Sequence, residues 1–590
     1  MSIVLGIASS HDSSAALFRD GVLVAAISEE RMSRVKCDGG RMPRLAVDEV
    51  LRIAGLARRD VDCIASNYDH VSEAYCRRVE WHKRAERAVS RQFKRITGRE
   101  VTSQVFLRNI LRHIVRKAPE RRLEDYFSRE KYLAGEGFRP DARLEFVDHH
   151  LSHAVAAAYY SGFDACAVVT MDGEGDLDMH YTAGTFIAGR FTQQHVGDTL
   201  GTSPGHFYMD LTELLGFRSL RHEGKVLGLA AYGDPAPLRD TFRKAMRISA
   251  DGFGFSSDFG GKTRAVAARK AFLAEAIIGH SRENVAAAAQ AVFEETIVAI
   301  LRNHLRATGM RRLAVNGGVF ANVKLNQRIA ALDECDELFV FPGMSDTGNS
   351  VGAALWLHEK LDPGFLGRSA RRLETVYWGT DPDDAAIRAE LDARGLKYEE
   401  AGIDGVIERA AQAMHRGQVV GWFQGAMEFG PRALGNRSMV AAPTDKSIND
   451  WFNARLERSE FMPFAPSALA EYADEVFEGV GPGRHAAEFM TITFDVKKAW
   501  QMRIPAVVHV DGTARPQLVR RDRNPKYWAL IERYRQLSGI PLILNTSFNV
   551  HEEPIVCGPK EAVQAVVDAR VDHLAIGPFW VDGGQFVKKG

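Results

Sequence analysis

The segment DHHLSHA holds three histidines within five residues, a spacing that can bind a metal ion. Asp148 is a good helix N-cap, and a helix that begins there places His149 and His153 four residues apart on one face. His150 is rotated from that face by roughly 100°. Two imidazoles at this spacing can chelate one cation, although helical histidines also serve as caps and packing residues.

Two aspartates favour the metal site over the packing alternative. Asp172 ends an apolar strand in TMDGEGD, and Asp346 lies in the loop PGMSDTGNS, which precedes a predicted helix. A carboxylate at the tip of a buried strand commonly serves a ligand. Two histidines and two carboxylates, with coordination positions left open, suit Fe(II), Mn(II) or Zn(II) better than Ca(II). The sequence therefore predicts a metal site formed by His149, His153, Asp172 and Asp346.

Chain length and charge limit the classes of function. A chain of 590 residues is too long for one compact core, so two to four domains are expected. Lys plus Arg and Asp plus Glu both total 76, which gives a formal net charge of zero. No bulk polyanion binding is indicated, so the expected partner is a small molecule and not a nucleic acid.

The N-terminal sequence, the apolar runs and the cysteines predict a cytoplasmic protein. The N-terminus lacks the basic region and the hydrophobic segment of a signal peptide. No window approaches the ~18 uninterrupted apolar residues of a membrane span. The six cysteines form no CxxC pair, which is typical of reduced, buried thiols.

The first half of the chain contains two similar patterns. Residues 3–30 read strand, polar loop, strand, Asp20-Gly21 turn, strand. Residues 165–196 repeat this plan, with Ala188-Gly189 at the second turn. The sequence therefore predicts an α/β fold whose first domain is internally duplicated around one cleft.

The segment from about Asp362 to Asp381 lacks strong periodicity, and we expect the main domain boundary there. Beyond it, buried strands end in an Arg/Gly-rich loop and in an Asn/Ser segment, which predicts a second α/β domain.

Residues 77–131 are helical in pattern and rich in Arg and Lys. They could form a nucleic-acid or phosphate surface, but zero net charge favours solvated helix faces on an insertion.

Glycine-rich loops indicate a second kind of ligand. Exposed backbone N–H groups in SSHDSS, DGEGD and NGGVFAN can hold phosphate oxygens. A glycine pair alone is usually only a turn. Three such loops in one duplicated domain predict nucleotide binding.

Nine motifs in fixed order give the chain a family resemblance. They are GIASSHDSSAAL, DHHLSHA, MDGEGD, HEGKVLGLAAYG, NGGVFAN, SDTGNSVGAA, FGPRALGNRS, EFMPFAPS and LNTSFN. In this order they resemble the NodU/CmcH/TobZ-type O-carbamoyltransferases over nearly the whole chain, except for residues about 70–140.

The resemblance implies an actin-like, TsaD/Kae-type domain over residues 1–365, with a helical insertion at about 70–140. A YrdC-like domain would follow over residues 375–590. It implies that the second domain converts carbamoyl phosphate and ATP, with Mg, into carbamoyl adenylate and pyrophosphate. The first domain, carrying iron, would then transfer the carbamoyl group to a hydroxyl of a small-molecule acceptor.

The resemblance also assigns residues to each step. It places the metal on the four residues chosen above and the transfer-site histidine at His11. In the first domain it assigns nucleotide or substrate binding to Lys225, Gly317, Gly318 and Asn322. In the second domain it assigns the carbamoyl phosphate and ATP pocket to Arg432, Arg458, Arg515, Asn545 and Ser547.

The chemistry explains these residue types. The planar guanidinium of arginine donates two hydrogen bonds to one phosphate, which offsets repulsion between two anionic substrates. His11 is the expected base for the acceptor hydroxyl, and the metal is the expected electrophile. Because carbamoyl adenylate hydrolyses readily, we expect a channel or closed interface between the domains.

Alternative functions remain open from the sequence alone. One is a tRNA threonylcarbamoyl-type enzyme, since TsaD- and YrdC-like proteins also act there. Another is a non-catalytic nucleotide-binding switch, and a third is a plain ATPase or sugar kinase. The resemblance implies a setting in natural-product chemistry such as antibiotic biosynthesis. The protein is expected in the cytoplasm, with a homodimer among the expected assemblies.

Overall fold

A computed structural model describes residues 2–67, Tyr75, 127–260, 263–456, 464–550 and 552–586. Most of the predicted 70–140 insertion lies outside these residues, as does Arg458. Of the insertion, the structure describes the end, including the helix Arg129–Gly135.

The first sheet has five strands, which are described here in their spatial order. They are Val22–Ser28, Ser14–Arg19, Ile3–Ala8, Cys63–Asn67 and Arg143–Val147. The three strands nearest the N-terminus form an antiparallel meander. The other two continue the sheet in parallel.

The second sheet repeats this arrangement strand for strand. Its spatial order is Arg190–Gly197, Tyr181–Ile187, Ala165–Met171, Arg312–Asn316 and Glu337–Val340. Again an antiparallel meander is extended by two parallel strands. The predicted α/β class and the internal duplication of the first domain are therefore confirmed.

The hairpin turns explain why both meanders fold in this way. Asp20 and Gly21 have φ of 50° and 77°, and Ala188 and Gly189 have φ of 48° and 86°. Positive φ at both central residues matches the right-handed twist of the adjoining strands. The turn signals in the sequence thus fix the register of the two meanders.

Helices cover these sheets. Through residue 369 they span Glu29–Ser33, Arg44–Ile53, Arg129–Gly135, His149–Ser161, Pro204–Leu214, Glu223–Ala230, Ala236–Ala245, Thr263–Ala276, Arg282–Thr308, Val323–Ala330, Asn349–Leu361 and Phe365–Ser369. A short ribbon pairs Arg247–Ile248 with Phe255–Ser256. The helices His149–Ser161 and Asn349–Leu361 pack closely, since a Cβ on Gly352 would lie 1.8 Å from the Ser152 carbonyl oxygen. This contact brings the starts of two site-bearing segments together.

One helix among the described residues, Arg282–Thr308, is long and apolar enough by composition to cross a membrane. Its most apolar window is 67% buried inside the protein. Its side chains, including Val292, Ile297 and Leu301, belong to the main hydrophobic core. The helix therefore has the burial of a core helix.

A large mixed sheet forms the C-terminal half. Its eight described strands, in spatial order, are Tyr398–Glu400, Phe579–Asp582, His573–Ile576, Val420–Phe423, Arg437–Ala441, Leu542–Ser547, Ala465–Leu469 and Gln517–Val519. A ribbon pairs Phe494–Asp495 with Thr513–Ala514. Helices here span Asp384–Ala393, Gly402–His415, Ser447–Arg455, Ala473–Val476, Arg484–Ala487, Lys498–Gln501, Pro525–Ser538 and Pro559–Val567. The domain limits at 365 and 375 stay a prediction.

Candidate functional site

The helix His149–Ser161 begins as its sequence predicts. Asp148 is the N-cap, and its Oδ1 accepts a hydrogen bond from the backbone N–H of Leu151 at 2.8 Å. His150 turns away, with Nδ1 2.7 Å from the Thr170 hydroxyl and its pKa lowered by burial. The cap therefore fixes the start of the helix, from which His149 and His153, one turn apart, project on the same face.

Asp172 follows the strand Ala165–Met171, and its carboxylate is held by backbone donors. Oδ1 accepts from the N–H of Gly173 at 2.6 Å, and Oδ2 accepts from the N–H of Gly318 at 3.1 Å. Asp346 lies in a short turn directly before the helix Asn349–Leu361. Both carboxylates are thus placed by strand ends or loops of the second sheet.

The four predicted metal ligands converge. One ligand atom from each of His149, His153, Asp172 and Asp346 lies within 4.8 Å of the others. His149 Nε2 lies 3.7 Å from Asp172 Oδ2 and 3.6 Å from Asp346 Oδ1. The corresponding distances from His153 Nε2 are 3.4 and 3.8 Å. All four residues are buried.

These separations fit a bound cation better than direct hydrogen bonds. All four N···O distances exceed the usual range for N–H···O hydrogen bonds. Asp346 Oδ1 and His153 Nε2 are buried and have no hydrogen-bond partner among the described residues. Burial opposes ionisation of Asp172 and Asp346, but the neighbouring histidines hold the pKa of both well below the ordinary value. Two ionised carboxylates and two imidazoles are a donor set for a divalent transition metal.

His11 adjoins this cluster. Its Nδ1 lies 2.8 Å from Asp346 Oδ2, and its Nε2 lies 3.5 Å from Asp12 Oδ2. Burial lowers the pKa of His11, but Asp346 and Asp12 raise it more strongly, to about 10. The predicted transfer histidine therefore shares a carboxylate with the predicted metal ligands.

A cavity of about 420 Å³ opens beside His11. The predicted residues that line it are His11, Asp172, Gly318, Asn322, Asp346 and Arg432. Apolar residues, including Tyr208, Leu227 and Phe293, line it as well. A cavity with several apolar walls and a few polar groups is suited to a small molecule.

Two residues predicted to bind nucleotide, Lys225 and Gly317, are not among the residues that line this cavity, and Asn322, which lines it, also caps a helix. Lys225 is buried on the helix Glu223–Ala230 and is not among the cavity-lining residues. Gly317 has φ of 106°, and a Cβ there would lie 2.2 Å from the Met171 carbonyl oxygen. Asn322 caps the helix Val323–Ala330 by accepting from Leu325 N–H. Their roles in binding stay predictions.

A second cavity, of about 250 Å³, is lined mainly by residues of the C-terminal half. It brings together four of the predicted residues: Arg432, Arg515, Asn545 and Ser547. Asn545 is buried, and its Nδ2 donates to Ala433 and Ser467. Its Oδ1 has no hydrogen-bond partner among the described residues.

The two cavities adjoin. Gly224, Leu227, Ala321, Pro431 and Arg432 line both of them. The first three belong to the N-terminal half and the last two to the C-terminal half. The cavities therefore meet where the two halves of the chain pack together.

Sequence reasoning missed the residues that support the Arg432 loop. Glu428 is buried, and its Oε1 accepts from the N–H groups of Leu434, Asn436 and Arg437 at 2.8, 2.7 and 3.1 Å. Arg31 of the N-terminal half donates to the carbonyl oxygen of Gly430 at 2.8 Å. No local spacing indicates these contacts, although Arg437 lies within the GNRS motif.

Arg437 also supports the loop that bears Arg432, which joins the strands Val420–Phe423 and Arg437–Ala441. Its guanidinium is fully buried and donates to the carbonyl oxygens of Gln424, Gly425 and Thr380. It also stacks over Phe423 at 3.7 Å. Burial lowers its pKa to about 10, so it stays cationic at neutral pH.

Comparison with known proteins identifies the family. The carbamoyltransferase N-terminus model matches residues 3–355, and the carbamoyltransferase C-terminus model matches residues 411–582. The chain belongs to the carbamoyltransferase family. The predictions of family, of an enzyme and of carbamoyl transfer are therefore confirmed.

Relatives of this carbamoyltransferase include nodulation proteins. It is 36% identical to the nodulation protein NolNO of Sinorhizobium fredii, over 97% of this chain and 79% of that protein. It is 37% identical to the nodulation protein NolO of Bradyrhizobium diazoefficiens, over 74% of this chain and 78% of that protein.

A solved structure gives a weaker likeness. Component A of the (R)-2-hydroxyglutaryl-CoA dehydratase of Acidaminococcus fermentans is 14% identical, with a TM-score of 0.34, over 61% of this chain and 99% of that chain. At that TM-score the likeness carries no argument about this carbamoyltransferase.

Proposed function

We propose that this carbamoyltransferase works in two half-reactions, one in each cavity. In the first, carbamoyl phosphate, ATP and water give carbamoyl adenylate, pyrophosphate and inorganic phosphate. In the second, the hydroxyl of a small acceptor attacks the carbamoyl carbon, and AMP leaves. The observation that carries the proposal is that the two cavities adjoin and that Arg432 lines both.

The second cavity is proposed as the site of adenylate formation. Arg432 and Arg515 would donate hydrogen bonds to phosphate oxygens and offset the repulsion between two polyanions. The buried Oδ1 of Asn545 is a hydrogen-bond acceptor, so it would suit the NH₂ group of the carbamoyl moiety. Ser547, and Arg458 from the sequence, would complete the ATP pocket, with Mg bound to the nucleotide.

The first cavity is proposed as the transfer site. His149, His153, Asp172 and Asp346 would hold a divalent metal, which we propose to be Fe(II) from the family resemblance. When bound, such an ion supplies a Lewis acid that polarises carbonyl or phosphate oxygens. Gly317, Gly318, Asn322 and Lys225 would lie on the nucleotide side.

His11 is proposed as the base that accepts the proton of the acceptor hydroxyl. In the neutral ring, with Nδ1 donating to Asp346, Nε2 has a lone pair. A base of this kind contributes about 10²- to 10⁴-fold to the rate. A cation on Asp346 offsets the carboxylate charge that raises the pKa of His11, so metal binding and base function would support each other.

The adjoining position of the two cavities suits a labile intermediate. Gly224, Leu227 and Ala321 line both cavities from one half of the chain, and Pro431 and Arg432 line both from the other. Carbamoyl adenylate made in one cavity would reach the other without crossing bulk solvent. The acceptor is proposed to be a hydroxylated natural product or sugar-like molecule. The reaction is proposed to serve antibiotic or related biosynthesis in the cytoplasm, with a homodimer as the proposed assembly.

The test separates the half-reactions with His11→Ala. The variant should release pyrophosphate from ATP and carbamoyl phosphate at the wild-type rate and lose transfer by at least about 10²-fold. Mass spectrometry of a panel of hydroxylated metabolites measures the transfer. The exposed His280, changed to Ala, is the matched control. Transfer by His11→Ala at the wild-type rate would refute the assignment.

A further inference from the structure

His509 is a buried histidine in the second cavity to which no role has been assigned. It lines this cavity together with Arg432, Arg515 and Asn545. The residue is 9% exposed. Its Nε2 has no hydrogen-bond partner among the residues that the structure describes. A buried ring nitrogen without a partner in a substrate-sized cavity calls for a ligand.

The opposite side of the ring is held by a carboxylate. His509 Nδ1 lies 3.3 Å from Asp511 Oδ1. The N–H and hydroxyl of Thr513 donate to the same oxygen at 3.1 and 2.6 Å. A tight turn fixes the segment, since His509 N–H donates to the carbonyl oxygen of Thr513 at 2.8 Å.

The other half of the chain supports this pair. Lys324 Nζ, on the helix Val323–Ala330, lies 2.9 Å from Asp511 Oδ2. The ring of Tyr232 contacts His509 edge to face, with centroids 5.9 Å apart. Burial raises the pKa of Asp511, but His509, Thr513 and Lys324 together hold it well below the ordinary value. The carboxylate therefore stays ionised.

The tautomer of His509 follows from this contact. An ionised carboxylate only accepts hydrogen bonds, so this contact favours the tautomer with the proton on Nδ1. In the neutral ring, Nε2 then has a free lone pair. The ring can accept a proton in the cavity, while Asp511 stabilises the imidazolium that forms, as in other carboxylate–histidine pairs.

We propose that His509 is the catalytic base of the first half-reaction, an inference that rests on the proposed function. A water oxygen would bond to the phosphorus of carbamoyl phosphate while its proton passes to Nε2. The bond from phosphorus to the carbamoyl oxygen breaks, and carbamate leaves with the electron pair as inorganic phosphate forms. A carbamate oxygen then attacks the α-phosphorus of ATP, and pyrophosphate leaves.

The other groups of the cavity suit this assignment. Arg432 and Arg515 are permanently cationic and cannot accept a proton. Asn545 and Ser547 are not bases at neutral pH. Of the side chains that line this cavity in the described part of the chain, His509 alone is an imidazole or carboxylate. Lys324 acts through Asp511 and is therefore a positioning residue.

The experiment measures inorganic phosphate and pyrophosphate release by the full chain with ATP and carbamoyl phosphate. His509→Asn should lower both rates by about 10²- to 10⁴-fold, while ATP binding measured by calorimetry stays within about twofold. His280→Asn, at an exposed site, is the matched control and should equal wild type.

A second variant separates catalysis from folding. Lys324→Met should lower kcat for pyrophosphate release and leave KM for both substrates nearly unchanged, and Lys324→Arg should restore kcat. Wild-type rates in His509→Asn would overturn the inference. A fall in ATP binding equal to the fall in rate would overturn it too, because it would show a purely structural role. If the wild-type protein itself releases no pyrophosphate, the proposed function fails instead.

Discussion

The carboxylate of Asp346 contacts His11 and the metal-ligand cluster with different oxygens. Oδ2 lies 2.8 Å from His11 Nδ1, and Oδ1 faces His149 and His153 at 3.6 and 3.8 Å. One side chain therefore orients the proposed base and contributes to the proposed metal site.

The first prediction concerns Asp346→Asn. The amide removes the negative charge from both contacts, so metal affinity should fall by at least about 10- to 100-fold, and carbamoyl transfer should fall with it. Metal content after dialysis, measured by mass spectrometry, tests this. Asp240→Asn is the control, because that side chain is 91% exposed. Unchanged metal content in Asp346→Asn would contradict the proposed site.

The second prediction concerns the cap of the histidine helix. Asp148→Ala should cost about 0.5–2 kcal/mol of stability and weaken metal binding, because the cap fixes the start of the helix, where His149 and His153 lie on successive turns. Asp383→Ala is a matched control, since Asp383 caps the helix Asp384–Ala393 through the same kind of bond. Thermal melting and metal titration measure the two effects. Equal metal affinity in both variants would show that the cap does not position the ligands.

The third prediction concerns the loop that bears Arg432. Glu428→Ala leaves three buried N–H groups without their acceptor, each at a cost of about 1–3 kcal/mol. The melting temperature and pyrophosphate release should both fall, whereas metal content should stay unchanged. Glu428→Gln keeps an acceptor oxygen and should recover part of the activity. Full pyrophosphate release by the alanine variant would show that the loop needs no such support.

The fourth prediction concerns pH. Burial raises the pKa of Glu488 from 4.5 to about 7, against the opposing effect of Arg520, whose Nη1 lies 3.8 Å away. Because the folded pKa lies above the unfolded one, this group's contribution to stability is full below pH 4.5 and is lost as pH rises to about 7. Glu488→Gln removes that loss.

Thermal melting of wild type and Glu488→Gln across pH 5 to 8 tests this sign. The advantage in melting temperature of the glutamine variant over wild type should grow as pH rises through about 7. An advantage that is independent of pH, or that shrinks with rising pH, would contradict a raised pKa.

The sequence predicted the features that depend on local spacing. The two turns with positive φ follow from Asp20-Gly21 and Ala188-Gly189, and the paired histidines follow from the cap at Asp148. Asp172 and Asp346 could be chosen because each stands at the end of an apolar strand or in a loop before a helix. Local rules apply to each of these sites because the deciding contacts lie within a few residues.

Other contacts join residues far apart in the chain, and local patterns do not indicate them. Lys324 meets Asp511 across the two halves of the chain, and Arg31 meets Gly430 in the same way. Such contacts depend on how the two halves of the chain pack together. The unpartnered nitrogen of His509 likewise emerges only when the cavity walls are assembled.

The most direct test of the two-step account is pyrophosphate release by the wild-type protein, loaded with Fe(II) and Mg, under three substrate conditions. ATP with carbamoyl phosphate should release pyrophosphate, whereas ATP alone and ATP with threonine and bicarbonate should not. Release only with threonine and bicarbonate would favour the tRNA-type enzyme. No release under any condition would favour a nucleotide-binding switch, and either result would contradict the account.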